Sequence, residues 1–127
     1  MTRGIYELTV QRRFSAAHAL REYQGACSRL HGHNYEVEVV VARETLDELG
    51  MVVDFTELKR VCDEVIDGLD HRMLNDLPPF SQRNATSEHV AEYLYHEIAP
   101  RLQELEVVLQ FVRVRETPTS AATYREV

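Results

Sequence analysis

Tryptophan is absent from this 127-residue chain, and cysteine, proline and glycine are scarce, with two, four and five copies respectively. So few prolines and glycines exclude a collagen-like or low-complexity chain. Two cysteines, Cys27 and Cys62, are too few for a disulfide scaffold. A chain of this length builds its own core without one, so both read as thiols. Long apolar runs are missing too. The first ten residues carry Arg3 and Glu7, so neither a signal peptide nor a membrane span is expected, and the cytoplasm is the default compartment. Positive charge is the last shortage. Fourteen Lys and Arg stand against 21 Asp and Glu, a net charge of −7, which argues against a general nucleic-acid binder. A small polyanion remains open as a ligand, since Arg12, Arg13, Arg21 and Arg29 can meet one locally.

What is present is 44% hydrophobic and 28% charged, the make-up of an ordinary globule. No repeat or linker interrupts it, so residues 1–127 are expected to form a single domain around one core. Tyr6, Leu8 and Val10 alternate with Glu7 and Thr9, the two-residue period of a half-buried strand running towards Phe14. Residues 35–41 give a second strand, with Glu36 and Glu38 on its wetter face. Residues 19–30 between them read as a loop. The period then changes. Asp54 or Thr56 can cap a helix whose stripe is Leu58, Cys62, Val65 or Ile66, and Leu69, ending near Gly68. After Pro78 and Pro79, Thr86 or Ser87 offers a second cap, and Val90, Leu94, Ile98 and Leu102 form another stripe, interrupted late by Pro100. Residues 106–115 read as a third strand and 119–125 as a weaker fourth. The order strand, strand, helix, helix, strand, strand predicts an α+β fold with an antiparallel sheet and two helices on one face. The other face and the sheet edges then need cover, and burial between subunits supplies it.

His31 and His33 stand at i and i+2, and on an extended backbone such residues point the same way, about 6.6 Å apart along the chain. Two imidazoles so placed can converge on one ion, and His18, at the end of the first strand, is the natural third. Imidazole suits zinc, which in catalytic sites keeps three protein ligands and an open position. A single histidine is more often a hydrogen-bonded core residue; three at the inner ends of two pairing strands favour the metal. Cys27, four residues before His31, can be a fourth ligand that closes a structural site, or a base whose pKa a nearby dication lowers. Cys62, on a helical stripe, reads as a small core hydrophobe. Asp70 and His71 are adjacent, and by spacing alone they read as a solvated acid and a helix-end cation rather than a relay. Glu116 is a solvated strand end or, in a sharper reading, a clamp for two neighbouring N–H donors. His89 and His96 carry no assigned role.

Taken together, FSAAH ending at His18, CSRLHGHNY from Cys27 to Tyr35, MVVDF from Met51 to Phe55, LDH ending at His71, TSE starting at Thr86, and Glu116 with Thr117 resemble the 6-pyruvoyltetrahydropterin synthase and 6-carboxytetrahydropterin synthase family nearly end to end. The resemblance implies zinc on His18, His31 and His33, Cys27 as the thiol base, and Asp70 with His71 as a proton relay. It also implies Glu116 as the anchor of the pterin N–H edge, with Thr86 and Ser87 lining the same pocket. The fold implied is the tunnelling fold, in which sheets of several subunits join into a barrel with active sites at the interfaces, and the implied homo-oligomer is a hexamer built as a dimer of trimers. The short Cys-x-x-x-His-Gly-His spacing resembles the bacterial carboxy branch. That branch implies a lyase that takes dihydroneopterin triphosphate to carboxytetrahydropterin, acetaldehyde and triphosphate, in the synthesis of queuosine-type deazapurines. The pyruvoyl reaction and a non-catalytic zinc-stabilised binding module are the alternatives. Two positions depart from the family's pattern: Ala85 stands where proline is common, and His89 where asparagine often follows the glutamate.

Overall fold

The computed structural model describes residues 1–22, 25 and 28–127, so Cys27 lies outside the described residues. Two long strands, β1 (Tyr6–His18) and β2 (His31–Arg43), pair antiparallel along their whole length, from Tyr6 opposite Arg43 to His18 opposite His31. Helix α1 (Phe55–Ile66) follows, then a two-residue strand β3 (Arg72–Met73), helix α2 (Ser87–Arg101), and strands β4 (Val108–Thr117) and β5 (Ser120–Tyr124). The sheet order is β3-β1-β2-β4-β5. The α+β order of four main strands and two helices is as the periodicity predicts. Both strands of the first hairpin run further than their apolar alternation shows, because the histidines themselves continue the ladder. The sheet is also mixed rather than purely antiparallel, since β3 lies parallel to the end of β1. Two residues are too short to show any period, and tertiary contacts make that strand.

Alternation decides the two faces. Val10, Phe14 and Ala16 of β1, Tyr35, Val37, Val39 and Val41 of β2, and Val112 and Val114 of β4 are buried on the face that the helices cover. Leu58, Val61, Cys62, Val65 and Ile66 of α1, and Val90, Ala91, Leu94 and Ile98 of α2, complete one core. Asp54 caps α1 by accepting from the Thr56 N–H, and Thr86 caps α2 by accepting from the His89 N–H. Pro100 falls in the last turn of α2 without breaking it. Arg12 reaches across to α1 and gives two parallel hydrogen bonds of 2.8 Å to Asp63. Burial pushes the Cys62 thiol up to about 12, which keeps it protonated and inert. Among the described residues no helix is long and apolar enough to cross a membrane.

The open face is charged. Arg13, Glu36 and Arg115 stand in one rank across three strands, and Gln11, Glu38 and Arg113 in the next. Glu36 meets Arg13 at 3.2 Å and Glu38 meets Arg113 at 2.9 Å. The free side of β1 is pinned only at its end, where Asp70 accepts from the Ser15 N–H and His71 donates its own N–H to the Ser15 carbonyl. His71 makes the bend with φ of 57°.

Two stability outcomes follow. Leu94→Ala removes a fully buried side chain and is expected to cost about 2–5 kcal/mol in urea unfolding, whereas Asp54→Ala, which removes only a helix cap, costs about 1 kcal/mol. The Ser15 N–H and then His71 hold the Asp70 carboxyl below its ordinary value of 3.8. A depressed folded pKa stabilises the folded state above the unfolded value, and that contribution disappears as pH falls through the folded value. Asp70→Asn should therefore lower the urea midpoint at pH 7, and the difference from the unaltered protein should shrink as pH falls below 3.8; a loss that does not change with pH would contradict this.

Candidate active site

The register of the first hairpin builds the site. His18 and His31 are direct cross-strand partners, and His33 lies two residues further along β2, opposite Ala16. All three side chains project from the helix-covered face, and one ring nitrogen from each lies within 4.8 Å of the others. The rings meet edge to face, at centroid distances of 4.5 Å for His18 and His31 and 4.8 Å for His31 and His33. His18 is 2% exposed. Tyr35, stacked on Phe14 at 4.6 Å, stands edge-on beneath both His18 and His33.

Hydrogen bonds set the tautomers. His18 Nδ1 lies 2.7 Å from the Ala85 carbonyl and His31 Nδ1 lies 2.7 Å from the Arg29 carbonyl. A carbonyl only accepts, so each Nδ1 carries the proton and donates it, and each Nε2 is left as a bare lone pair. His18 Nε2 and His33 Nε2 are buried and have no hydrogen-bond partner among the described residues. Glu116 Oε1 is 3.4 Å from the first and 3.9 Å from the second, close in charge but outside hydrogen-bonding geometry. Burial lowers the His18 pKa, opposed by its bond to Ala85 and by Glu116 and reinforced by His31 and His33. A buried polar atom without a partner costs about 1–3 kcal/mol. Two imidazoles oriented through their far nitrogens by carbonyls, with the buried Nε2 of His33 beside them, suit a metal ion. The residues present fit one.

The other predicted residues fall into two groups. Glu116, at the end of β4, joins the histidines on the helix-covered face. Ala85, whose carbonyl orients His18, directly precedes Thr86 and Ser87 at the start of α2; the Thr86 hydroxyl is used by the helix cap. Asp70 and His71 lie elsewhere, beyond the free edge of β1. They do pair, with His71 Nδ1 3.0 Å from Asp70 Oδ2, rather than standing as a separate acid and cation. His71 is 82% exposed and opens onto a groove of about 500 Å³ on the open sheet face, floored by Ala17 and Gly32 and flanked by Ser15, Asn34 and Met73. His33 is the one histidine of the cluster that borders it. Of the four arginines able to meet a polyanion, Arg12 is committed to Asp63, Arg13 to Glu36, and Arg21 to the carbonyls of Asn75, Phe80 and Arg83. Arg29 makes no side-chain ion pair with the described residues. The sequence singled out Ala85 only as a departure from the family's pattern and gave no hint of its bond to His18, because a backbone carbonyl leaves no signal in residue type.

Residues 7–127 match the family model described as 6-pyruvoyl tetrahydropterin synthase. The chain is 42% identical over 127 residues to the 6-carboxy-5,6,7,8-tetrahydropterin synthase of Bacillus subtilis, a match covering 94% of this chain and 85% of that one. It is 41% identical over 117 residues to the enzyme of the same name from Synechocystis, covering 87% of this chain and 86% of that one. Its fold superposes on the structure of Caenorhabditis elegans 6-pyruvoyl tetrahydropterin synthase with a TM-score of 0.87 at 33% identity, covering all of both chains. With the three-histidine cluster, the two-helix face and the sheet order all in place, this chain belongs to the 6-pyruvoyl tetrahydropterin synthase family.

Proposed function

We propose that this chain is a zinc-dependent lyase that converts 7,8-dihydroneopterin triphosphate to 6-carboxy-5,6,7,8-tetrahydropterin with release of acetaldehyde and triphosphate, acting in the cytoplasm in the synthesis of queuosine-type deazapurines. The observation that carries the reading is the cluster of bare imidazole nitrogens on His18, His31 and His33 with the Glu116 carboxylate beside it. Identity to two relatives named as carboxy enzymes favours that branch over the pyruvoyl one.

Three imidazole nitrogens within 4.8 Å of one another suit zinc better than the oxygen-seeking cations. His18, His31 and His33 would hold it, and bound zinc supplies Lewis acidity that makes a neighbouring hydroxyl easier to deprotonate. The remaining work belongs to the chain's own groups. Glu116, an acceptor with two oxygens, suits the paired N–H donors of a pterin edge. Thr86 retains a hydroxyl proton to donate after capping α2, and Ser87 stands beside it at the helix start. Cys27 acts as the base that removes a proton from the substrate side chain. His71 gives its Nδ1 proton to the Asp70 carboxylate as a hydrogen bond, so its Nε2 is free to carry the exchanged proton. Arg29, without an ion pair among the described residues and two residues from His31, is suited to the triphosphate.

Asp70 and His71 open onto one face of the sheet and the histidine cluster onto the other. A homo-oligomer, a hexamer of two trimers, resolves this by presenting one chain's relay to its neighbour's cluster. The free outer edges of β1 and β5 support that assembly.

The test is to load the purified protein with zinc, supply dihydroneopterin triphosphate and assay acetaldehyde with the pterin product. Acetaldehyde and carboxytetrahydropterin are expected. Cys27→Ala and His71→Ala should each retain zinc and lose about 10²- to 10⁴-fold in turnover. A pyruvoyl product without acetaldehyde would assign the sister reaction. No turnover, with release of zinc from Cys27→Ala, would leave a non-catalytic zinc-stabilised module.

A further inference from the structure

His18 is the most buried of the three histidines, and the groups around it form a clamp that the proposed chemistry does not use. Asn84 and Asn75 each pair with the chain directly after His18 in the way a strand would. The Asn84 side chain accepts from the Arg21 N–H at 2.8 Å and donates to the Arg21 carbonyl at 3.1 Å. The Asn75 side chain accepts from the Ala19 N–H at 3.0 Å and donates to the Ala19 carbonyl at 2.9 Å. Each amide therefore satisfies both backbone groups of one residue in a segment that has left the sheet. The clamp continues on its other side. His89 Nδ1 lies 2.7 Å from the Asn84 carbonyl and donates to it, while the His89 N–H is held by Thr86. Ala85, the residue between Asn84 and Thr86, is 1% exposed and offers its carbonyl to His18 Nδ1.

We infer that Asn84, with His89 behind it, is a positioning residue for the metal site: it fixes the Ala85 carbonyl against His18, and so sets which imidazole nitrogen faces the ion and in what direction. The inference rests on the three-histidine metal reading and extends it to residues that touch no ligand. The physical reason is the number of constraints. A single carbonyl on a free turn orients an imidazole poorly, whereas this one is fixed from both flanks, by Asn84 to the chain after His18 and by Thr86 and His89 to the first turn of α2. Groups that orient a metal-binding histidine through its far nitrogen typically contribute 10- to 100-fold in affinity. Asn75 secures the same segment one step closer to His18 but does not touch the Ala85 turn, so it should matter less.

The experiment measures zinc affinity by competition with a chromophoric chelator, together with the visible absorption of the cobalt(II)-loaded protein, whose band positions and intensities follow ligand geometry. Asn84→Ala is expected to weaken zinc binding by about 10-fold or more and to alter the cobalt spectrum. Asn84→Asp keeps the acceptor for the Arg21 N–H but sets an oxygen against the Arg21 carbonyl, and should fall between. His89→Ala removes one hydrogen bond from a part-buried helical position, keeps the fold, and should weaken zinc binding in the same direction, which covers the case in which Asn84→Ala fails to fold. Asp54→Ala serves as the control, since it destabilises the fold away from the site and should leave affinity and spectrum unchanged. Unaltered zinc affinity in Asn84→Ala and His89→Ala would overturn the inference while leaving the metal reading intact. Equal loss in Asp54→Ala would reduce the clamp to general stability and overturn it too. Failure of the unaltered protein to take up zinc or cobalt would remove the three-histidine reading, and the inference with it.

Discussion

The structure depends on a cost carried at one atom, the bare Nε2 of a histidine buried at the end of the first strand. A buried polar atom without a partner works against folding by about 1–3 kcal/mol. Among the described residues nothing relieves it at that nitrogen, yet they constrain the ring on its other sides. The Ala85 carbonyl takes its Nδ1 proton, Tyr35 stands edge-on beneath it, and His31 and His33 crowd its open side. A site with this arrangement is paid for by the core around it, here the Phe14 and Tyr35 stack and the helix-covered face of the sheet.

That expense makes strand register unusually consequential. Because side chains alternate across a sheet, a slip of one residue between β1 and β2 would send His31 and His33 to the charged face while His18 stayed on the apolar one. Several features oppose the slip. Tyr35 and Phe14 are cross-strand partners in the core, and Val37, Val39 and Val41 continue the same buried row. On the opposite face Arg13 meets Glu36 and Arg113 meets Glu38, pairs that a slip would separate. Such pairs contribute little individually, about 0.2–1 kcal/mol, but they favour the same register as the core.

The parts legible in the sequence were those with a period or a residue-type signature. Val90, Leu94 and Ile98 announced α2, Asp54 and Thr86 announced their caps, and the spacing of His31 and His33 on an extended segment announced a converging pair. The motifs around them carried the family. What escaped was made by backbone or by tertiary contact. Strand β3 has two residues and no period. The Ala85 carbonyl, which sets the His18 tautomer, is chemically the same in any residue. The pairing of Asp70 with His71 was not legible from spacing, because adjacent side chains usually diverge; only the family resemblance pointed to it, and the left-handed φ at His71 turns the two together. The arginines were left undecided among themselves for a related reason. Composition counts their charges, but only the fold shows that Arg12, Arg13 and Arg21 are already engaged.

The two sheet faces and the sheet edges also bear on the proposed assembly. The helices bury one face, and the ranks of Arg13, Glu36 and Arg115 and of Gln11, Glu38 and Arg113 keep the other wet, so neither face offers a broad apolar surface for a partner. The edges differ. Strand β1 has thirteen residues, none of them proline, and only its last few are covered, by β3 and the bend at Asp70 and His71; β5 ends the sheet on the other side. Natural sheets rarely leave so long an edge open, because unpaired backbone groups recruit another strand. In the proposed assembly, joining edges between copies would satisfy those groups and would bring Asp70 and His71, at the β1 edge, towards the next chain. Closure of the sheet and completion of the proposed site would then be met by the same contact.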